Sequence, residues 1–322
     1  MDNAASTATP ERPAQLRAVS VRHPGRWAGI VVISVLVAMF VKMLVTNDAY
    51  RWSFMVDNMF KPAVLRGVRT IIYLTVLAML LGVALGVVIA VMRLSPNPVL
   101  RSVSWVYTWY FRAVPRLALM GLFGNLGVLF QATGHIDLGF PFGHLFGLPN
   151  EGTIFSLDAR TVLAGFTAAL LALVLSEAAY MAEIVRAGIL AVDPGQTEAA
   201  HALGMSRGTT LRRIVLPQAM RVILPPTGNE TIAMLKDTSL VIFVPVSNEM
   251  FFQLRAIGAR TFRLFPMIVA ATLWYIALVS VLMVGQHFLE KRFARGVAGR
   301  GKRVRGRRPA PGVPAGGTGG MS

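Results

Sequence analysis

Cysteine is absent from the 322-residue chain. That excludes disulfides, thiolate catalysis and thiolate metal sites. Charge is scarce as well: 15% of residues are Asp, Glu, Lys or Arg, where soluble domains carry about 25%. Acidic side chains are the scarcest, 15 against 32 Lys and Arg, for a net charge of +17. The five histidines, His23, His135, His144, His201 and His287, show no metal-ligand spacing, and no Ser/His/Asp constellation assembles around them. Neither a metal site nor an intramembrane hydrolase is expected.

What replaces charge is apolar. Hydrophobic residues make up 54% of the chain, and the mean hydropathy is +0.58. About 20 apolar residues at 1.5 Å rise cross the hydrocarbon of a bilayer. Six segments meet that length: 27–47, 68–92, 103–130, 161–184, 222–246 and 264–288. The expected fold is therefore all-α and integral to the membrane, with about six transmembrane helices. The first run, Trp27 to Val45, exceeds a signal-peptide core, and polar Thr46-Asn47-Asp48 follows it. It reads as a retained span. Span three is interrupted by Arg112, Pro115 and Arg116. Span five, the least hydrophobic, holds Asn229, Glu230, Lys236 and Asp237.

Lys and Arg set orientation. They gather in residues 1–26 (Arg12, Arg17, Arg22, Arg26), in the loop after span four (Arg186, Arg207, Arg212, Arg213), and in the tail from Lys291 to Arg308. Six spans put these regions on one side, so both termini are expected in the cytoplasm of a multi-pass plasma (inner) membrane protein. Arg51, Lys61, Arg66, Arg255, Arg260 and Arg263 fall on the other side and temper the bias. The longest external connection, 131–160, is rich in Gly, Phe and Pro. Four regions result: a basic N-terminal segment 1–26, an extra N-terminal helix 27–47, a transmembrane domain 64–292, and a basic, Pro/Gly-rich disordered tail 293–322.

The loop between spans four and five carries the strongest local signal. Asp193 suits an N-cap, Pro194 the first helical position, and Gln196 the capping-box position. Gly204 suits the left-handed residue that ends a helix. A helix of about ten residues is expected, too short to stand alone in water. Its alanines, Ala199, Ala200 and Ala202, let a partner surface approach the backbone.

Glu198-Ala199-Ala200, three residues, Gly204, nine residues, Ile214, one residue and Leu216-Pro217 together form EAA-x3-G-x9-I-x-LP. The chain resembles bacterial ABC-importer permeases at every specified position of that signature. Ala179-Tyr180-Met181-Ala182-Glu183-Ile184-Val185-Arg186 and Leu235-Lys236-Asp237-Thr238-Ser239-Leu240 are similar to the polar amino-acid branch (the histidine, glutamine and glutamate permeases). The resemblance spans roughly 68–292. It implies a type I importer fold with a cytoplasmic coupling helix seated on a separate ATPase subunit. Ala199, Ala200 and Gly204 would make the close approach, Glu198 would offer a charge or cap the next turn, and Ile214, Leu216 and Pro217 would anchor the return to the membrane. It further implies a pair of ATPase subunits that hold ATP-Mg, a second permease subunit, identical or related, and an external solute-binding protein. The cargo would be a polar amino acid of the glutamate, glutamine, histidine or arginine type. One departure falls in span three, where Arg112-Ala113-Val114-Pro115 replaces the family's frequent Arg-Gly-Thr-Pro.

Charges inside a bilayer cost about 2.5–3.5 kcal/mol each on the insertion scale, so they line a path or are paired. If the helix of span five begins at Pro226, Lys236 lies about 15 Å in. Two readings stand for Lys236, Asp237, Thr238 and Ser239: they border the translocation path and its gate, or they neutralise neighbouring helices. Glu177 in span four is a further path candidate, but its favoured reading is as a partner for Arg112 or Arg116, since two arginines in a span need a counter-ion. Glu183 is assigned to Arg186 or the adjacent loop. Gly82 and Gly86 form a GxxxG, and Gly121, Gly124 and Gly127 recur in span three; both patterns suit helix–helix contact.

Gly296 to Lys302 imitates a phosphate-binding loop, but Arg303 stands where Ser or Thr is needed for Mg2+. No nucleotide site, cofactor or catalysis is therefore expected in this chain. The tail reads as a polybasic segment beside anionic lipid, not as a nucleic-acid binder, since no aromatics interleave its charges. The rival function is an ion-coupled secondary transporter. That class carries inverted repeats and broken helices in both halves, and no repeat is seen.

Overall fold

A computed structural model describes residues 24–126, 134–139, 153–158, 165–244 and 246–294. The basic N-terminus up to His23, Gly127, most of the 131–160 connection and the tail beyond Ala294, with its phosphate-loop mimic, lie outside the described residues.

Two units are distinct, residues 1–50 and 51–322. The first contributes helix α1, Pro24–Thr46. Its side chains from Trp27 to Val45 are exposed nearly all round, as expected of an apolar helix whose solvent is lipid.

The second unit begins with α2 (Trp52–Met59), α3 (Pro62–Leu94), α4 (Pro98–Ala113) and α5 (Arg116–Asn125). Strands β1 (His135–Gly139) and β2 (Thr153–Asp158) pair antiparallel, His135 opposite Asp158, with an irregularity at Leu138/Gly139. Then follow α6 (Gly165–Leu190), α7 (Pro194–Ala202), the single turn α8 (Arg207–Thr210), a π-helical stretch Leu211–Val215, α9 (Leu216–Asp237) and a 3-10 segment Thr238–Phe243. The last described elements are α10 (Met250–Arg260) and α11 (Leu264–Ala294). The short hairpin is the one addition to the expected helical fold among the described residues.

Among the described residues, four helices are long and apolar enough to cross a membrane: α1, α3, α6 and α11. Span three is divided into two shorter helices, and span five is one helix, α9, that continues into a 3-10 segment. Pro115 removes a donor and forces Val114 out of the helical region (φ −84°, ψ 126°), which separates α4 from α5. In span five the helix begins at Leu216, not Pro226, and Pro225-Pro226 lie inside it. The Thr227 hydroxyl donates to the Ile223 carbonyl at 2.8 Å, and the Gln286 amide reaches the Pro225 carbonyl at 3.4 Å. These side chains help hold a turn that lacks two backbone donors. The expected depth of Lys236 is corrected accordingly: it is the penultimate residue of α9, about 30 Å of helical rise from Leu216.

The core is the α3–α6 contact. A β-carbon on Gly86 would stand 2.6 Å from the Met181 Cβ, and one on Gly82 2.9 Å from the Glu177 Cβ. Both numbers rise together along the two helices, so α3 and α6 run parallel with α4–α5 crossing back between them. Leu74, Ala78, Met120, Ala169, Leu173, Met234 and Val241 fill the space they enclose with α5 and α9. A second cluster, Val64, Ile71, Met250, Leu254 and Met267, seats α10 against α3 and α11. Gly67 permits it, since a β-carbon there would meet the Met250 Cα at 2.6 Å.

Candidate functional site

The expected interfacial helix is present as α7. Asp193 Oδ1 accepts the Gly195 amide at 2.8 Å, and Pro194 opens the helix. Gly204 ends it with φ +78°, and the Met205 amide donates to the Ala200 carbonyl at 3.0 Å, closing a Schellman-type turn. Glu198, Ala199, Ala202 and Gly204 are exposed, and Leu203 is 83% exposed.

Ala200 differs from the expectation. It is only 1% exposed and packs inward on its own chain. α7 as a whole lies against α8 and the π-helical stretch, and Ala200 is on its buried side. Leu203, which the sequence pattern did not single out, is the large apolar group on the free face.

Ile214, Leu216 and Pro217 sit where the π-helical stretch passes into α9. The Leu216 amide reaches back to the Leu211 carbonyl, an i→i−5 bond. This wide turn admits Pro217, which has no donor to give. The Gln218 side chain satisfies the Ile214 carbonyl at 3.0 Å.

In the helix-bundle interior, Arg116 draws three carboxylates together. Its guanidinium contacts Glu177 at 3.0 Å, Glu230 at 3.4 Å and Asp237 through a further direct bond, and its Nε donates to Ser176 at 3.2 Å. The open choice between Arg112 and Arg116 as partner of Glu177 is thus settled for Arg116. Arg116 is the first residue of α5, Glu177 lies on α6, and Glu230 and Asp237 lie on α9. The cluster ties three separate helices. Glu177 is 0% exposed, and its Oε1 has no hydrogen-bond partner among the described residues. With every group ionised the balance is one positive against three negative charges, a net −2.

Of the other residues marked along span five, Thr238 is buried and donates to the Leu235 carbonyl. Ser239 is half-buried, and Lys236 is exposed and forms no ion pair among the described residues. Asp237 and Glu177 are brought together; Lys236 is left out.

A second charged group lies along α6. Glu183 bonds Arg186 at 2.8 Å, as expected, and also faces Arg93 of α3 at 3.7 Å. Between the two groups stands Tyr180, its ring 5.0 Å from the Arg116 guanidinium and 5.6 Å from that of Arg112. A cavity of about 430 Å3 opens beside it, lined by Arg93, Trp105, Arg112, Tyr180 and Glu183. Arg93 and the cavity were not legible in the sequence, because they require α3, α4 and α6 to be placed together.

Comparison with known proteins agrees with this architecture. The family model described as the binding-protein-dependent transport system inner membrane component matches residues 82–295. The arginine transport system permease protein ArgU of Corynebacterium glutamicum is 44% identical, over 91% of this chain and 86% of that protein. The probable amino-acid ABC transporter permease protein YckA of Bacillus subtilis is 33% identical, over 72% of this chain and 90% of that protein. A solved structure described as an amino acid ABC transporter with histidines superposes with a TM-score of 0.56 at 31% identity, covering 72% of this chain and 95% of that one. The chain therefore belongs to the family of binding-protein-dependent transport system inner membrane components, with the helical fold of a type I ABC importer permease.

Proposed function

We propose that this chain is the path-forming permease subunit of an ATP-driven importer of cationic amino acids. The observation that carries the cargo class is the interior cluster of three carboxylates around one guanidinium. A net negative site out of bulk water attracts a cation and repels an anion. The 44% identity to a permease named for arginine transport supports the same class. It narrows the wider polar amino-acid range to its basic members.

In this reading Glu177 and Asp237, with Glu230, border the path. Thr238 and Ser239 shape the 3-10 turn beside it, and Lys236 stands at its edge. The segment Asp193–Gly204 docks a separate ATPase through Glu198, Ala199, Leu203 and Gly204. Ala200 supports it from below, and Ile214, Leu216 and Pro217 carry the displacement into α9. ATP-Mg belongs to that ATPase pair, and this chain performs no hydrolysis. A second permease subunit and a solute-binding protein complete the complex. The chain is a multi-pass protein of the bacterial inner membrane with both termini cytoplasmic. Residues 64–292 form the transport domain, 27–47 an added helix, and 1–26 and 293–322 basic flanks. Membership of a binding-protein-dependent family leaves the ion-coupled alternative without support.

Proteoliposomes holding this chain, its ATPase subunits and the binding protein test the proposal. ATP-dependent uptake of labelled L-arginine, competed by L-lysine but not by L-citrulline or L-glutamate, is expected. Uptake of citrulline or glutamate in preference to arginine would refute the cargo class.

A further inference from the structure

We infer that Arg116 is a tethered stand-in for the cargo's cation: it fills the carboxylate cluster and yields that cluster when cargo arrives. The inference rests on the cationic-cargo reading above and adds a competitor within the chain itself.

Three observations carry it. First, the guanidinium of Arg116 is shared among Glu177, Glu230 and Asp237, and a guanidinium is also the side-chain group of arginine. Second, the cluster is under-filled. Glu177 Oε1 is fully buried yet has no partner among the described residues, whereas buried acceptors are normally satisfied. One cation therefore leaves acceptor capacity for another, through which an incoming cation can engage before the resident one departs. Third, Arg116 follows the Val114–Pro115 break directly, so the link between α4 and α5 is not a continuous helix. The side-chain bonds to α6 and α9 therefore help fix where α5 sits. The Tyr180 ring lies 5.0 Å from the same guanidinium and offers it a cation–π surface beside the cluster.

An internal competitor lowers the apparent affinity of cargo in proportion to the time it occupies the site. Removing it has a consequence opposite to that of removing a structural ion pair. Releasing it also removes the side-chain bonds that tie α5 to α6 and α9, so cargo arrival and the loss of those ties become one event.

The test uses the permease–ATPase complex in lipid nanodiscs, with equilibrium binding of labelled L-arginine and of L-citrulline, its uncharged near-isostere. In R116Q, binding of L-arginine is expected to tighten on the order of tenfold relative to wild type, with citrulline unchanged. In R116Q/E177Q, where one charge of each sign is gone, most of that gain is expected to disappear. If R116Q does not assemble, R116K replaces it; its compact ammonium lacks the planar fork, and a smaller gain specific to L-arginine is expected. Arginine binding that is unchanged or weaker in the assembled variant would overturn the inference and make Arg116 a structural counter-ion. A wild-type complex that binds neither L-arginine nor L-lysine would instead strike the cationic-cargo reading itself.

Discussion

Glu177 reaches Arg116 through space that Gly82 leaves open: a β-carbon at Gly82 would stand 2.8 Å from the Glu177 Cγ. A glycine on α3 thus sets the position of a carboxylate on α6, and through it the guanidinium on α5. Real β-carbons do not tolerate that distance, so a methyl group at position 82 has to displace the carboxylate or the helix.

Gly82→Ala is therefore expected to destabilise the chain by about 1–3 kcal/mol, the usual range for overpacking. It should also loosen the Arg116 cluster. Thermal unfolding of the purified protein measures the first effect. Gly121→Ala serves as control, because a β-carbon at Gly121 meets nothing within 4 Å; equal loss from both would contradict the packing account.

Gly204 has open space around it but a φ of +78°. Gly204→Val is expected to cost roughly 1–2 kcal/mol of local backbone strain, because an L side chain clashes in the left-handed region. The end of α7 would then shift while the membrane core stays folded. Cargo-stimulated ATPase activity should fall steeply, with little change in the overall melting temperature.

Lys236 is exposed at the end of α9 and has no acidic partner among the described residues. Lys236→Met should leave folding and subunit assembly intact and sharply reduce uptake, as expected of a group placed for the path and not for the core. Normal uptake by an assembled variant would remove Lys236 from the path.

Glu249, in the connection between spans five and six, caps α10 by accepting the amides of Phe251 and Phe252, both at 2.8 Å. Burial pushes its carboxyl up to about 7. A raised carboxyl favours the protonated folded form, so its contribution to stability is full at pH below the unfolded value of 4.5 and is lost as pH climbs through 7. Melting curves between pH 5 and 8 should show wild type losing stability with a slope of up to ~1.4 kcal/mol per pH unit. Glu249→Gln should flatten that slope. An unchanged slope would place the titration elsewhere.

Much of this molecule is legible in its sequence, for reasons that differ by residue. Asp193, Pro194 and Gly204 act within one turn of the chain, so their capping roles could be read from order alone. The apolar lengths of α1, α3, α6 and α11 follow directly from composition. Pro225-Pro226 misled because proline is ordinarily read as a helix start, while here Thr227 and Gln286 support it inside a helix. The inward turn of Ala200 was hidden because alanine suits either face. The grouping of Arg116 with Glu177, Glu230 and Asp237 joins positions far apart in the chain, and the packing of α5 and α9 against α6 decides which arginine meets which acid.

In the proposed function, α7 is the contact through which a separate ATPase drives this chain. Because the chain has no cysteine, single substitutions give unique attachment points for a short thiol-linked photo-crosslinker. With the ATPase co-expressed, Ala199→Cys and Leu203→Cys are predicted to form adducts with it. Ala200→Cys, at a buried position, and Phe262→Cys, at one 96% exposed on a connection outside α7, are predicted to form none. Adducts at Phe262 equal to those at Leu203, or none at either α7 position in an assembled complex, would contradict the account.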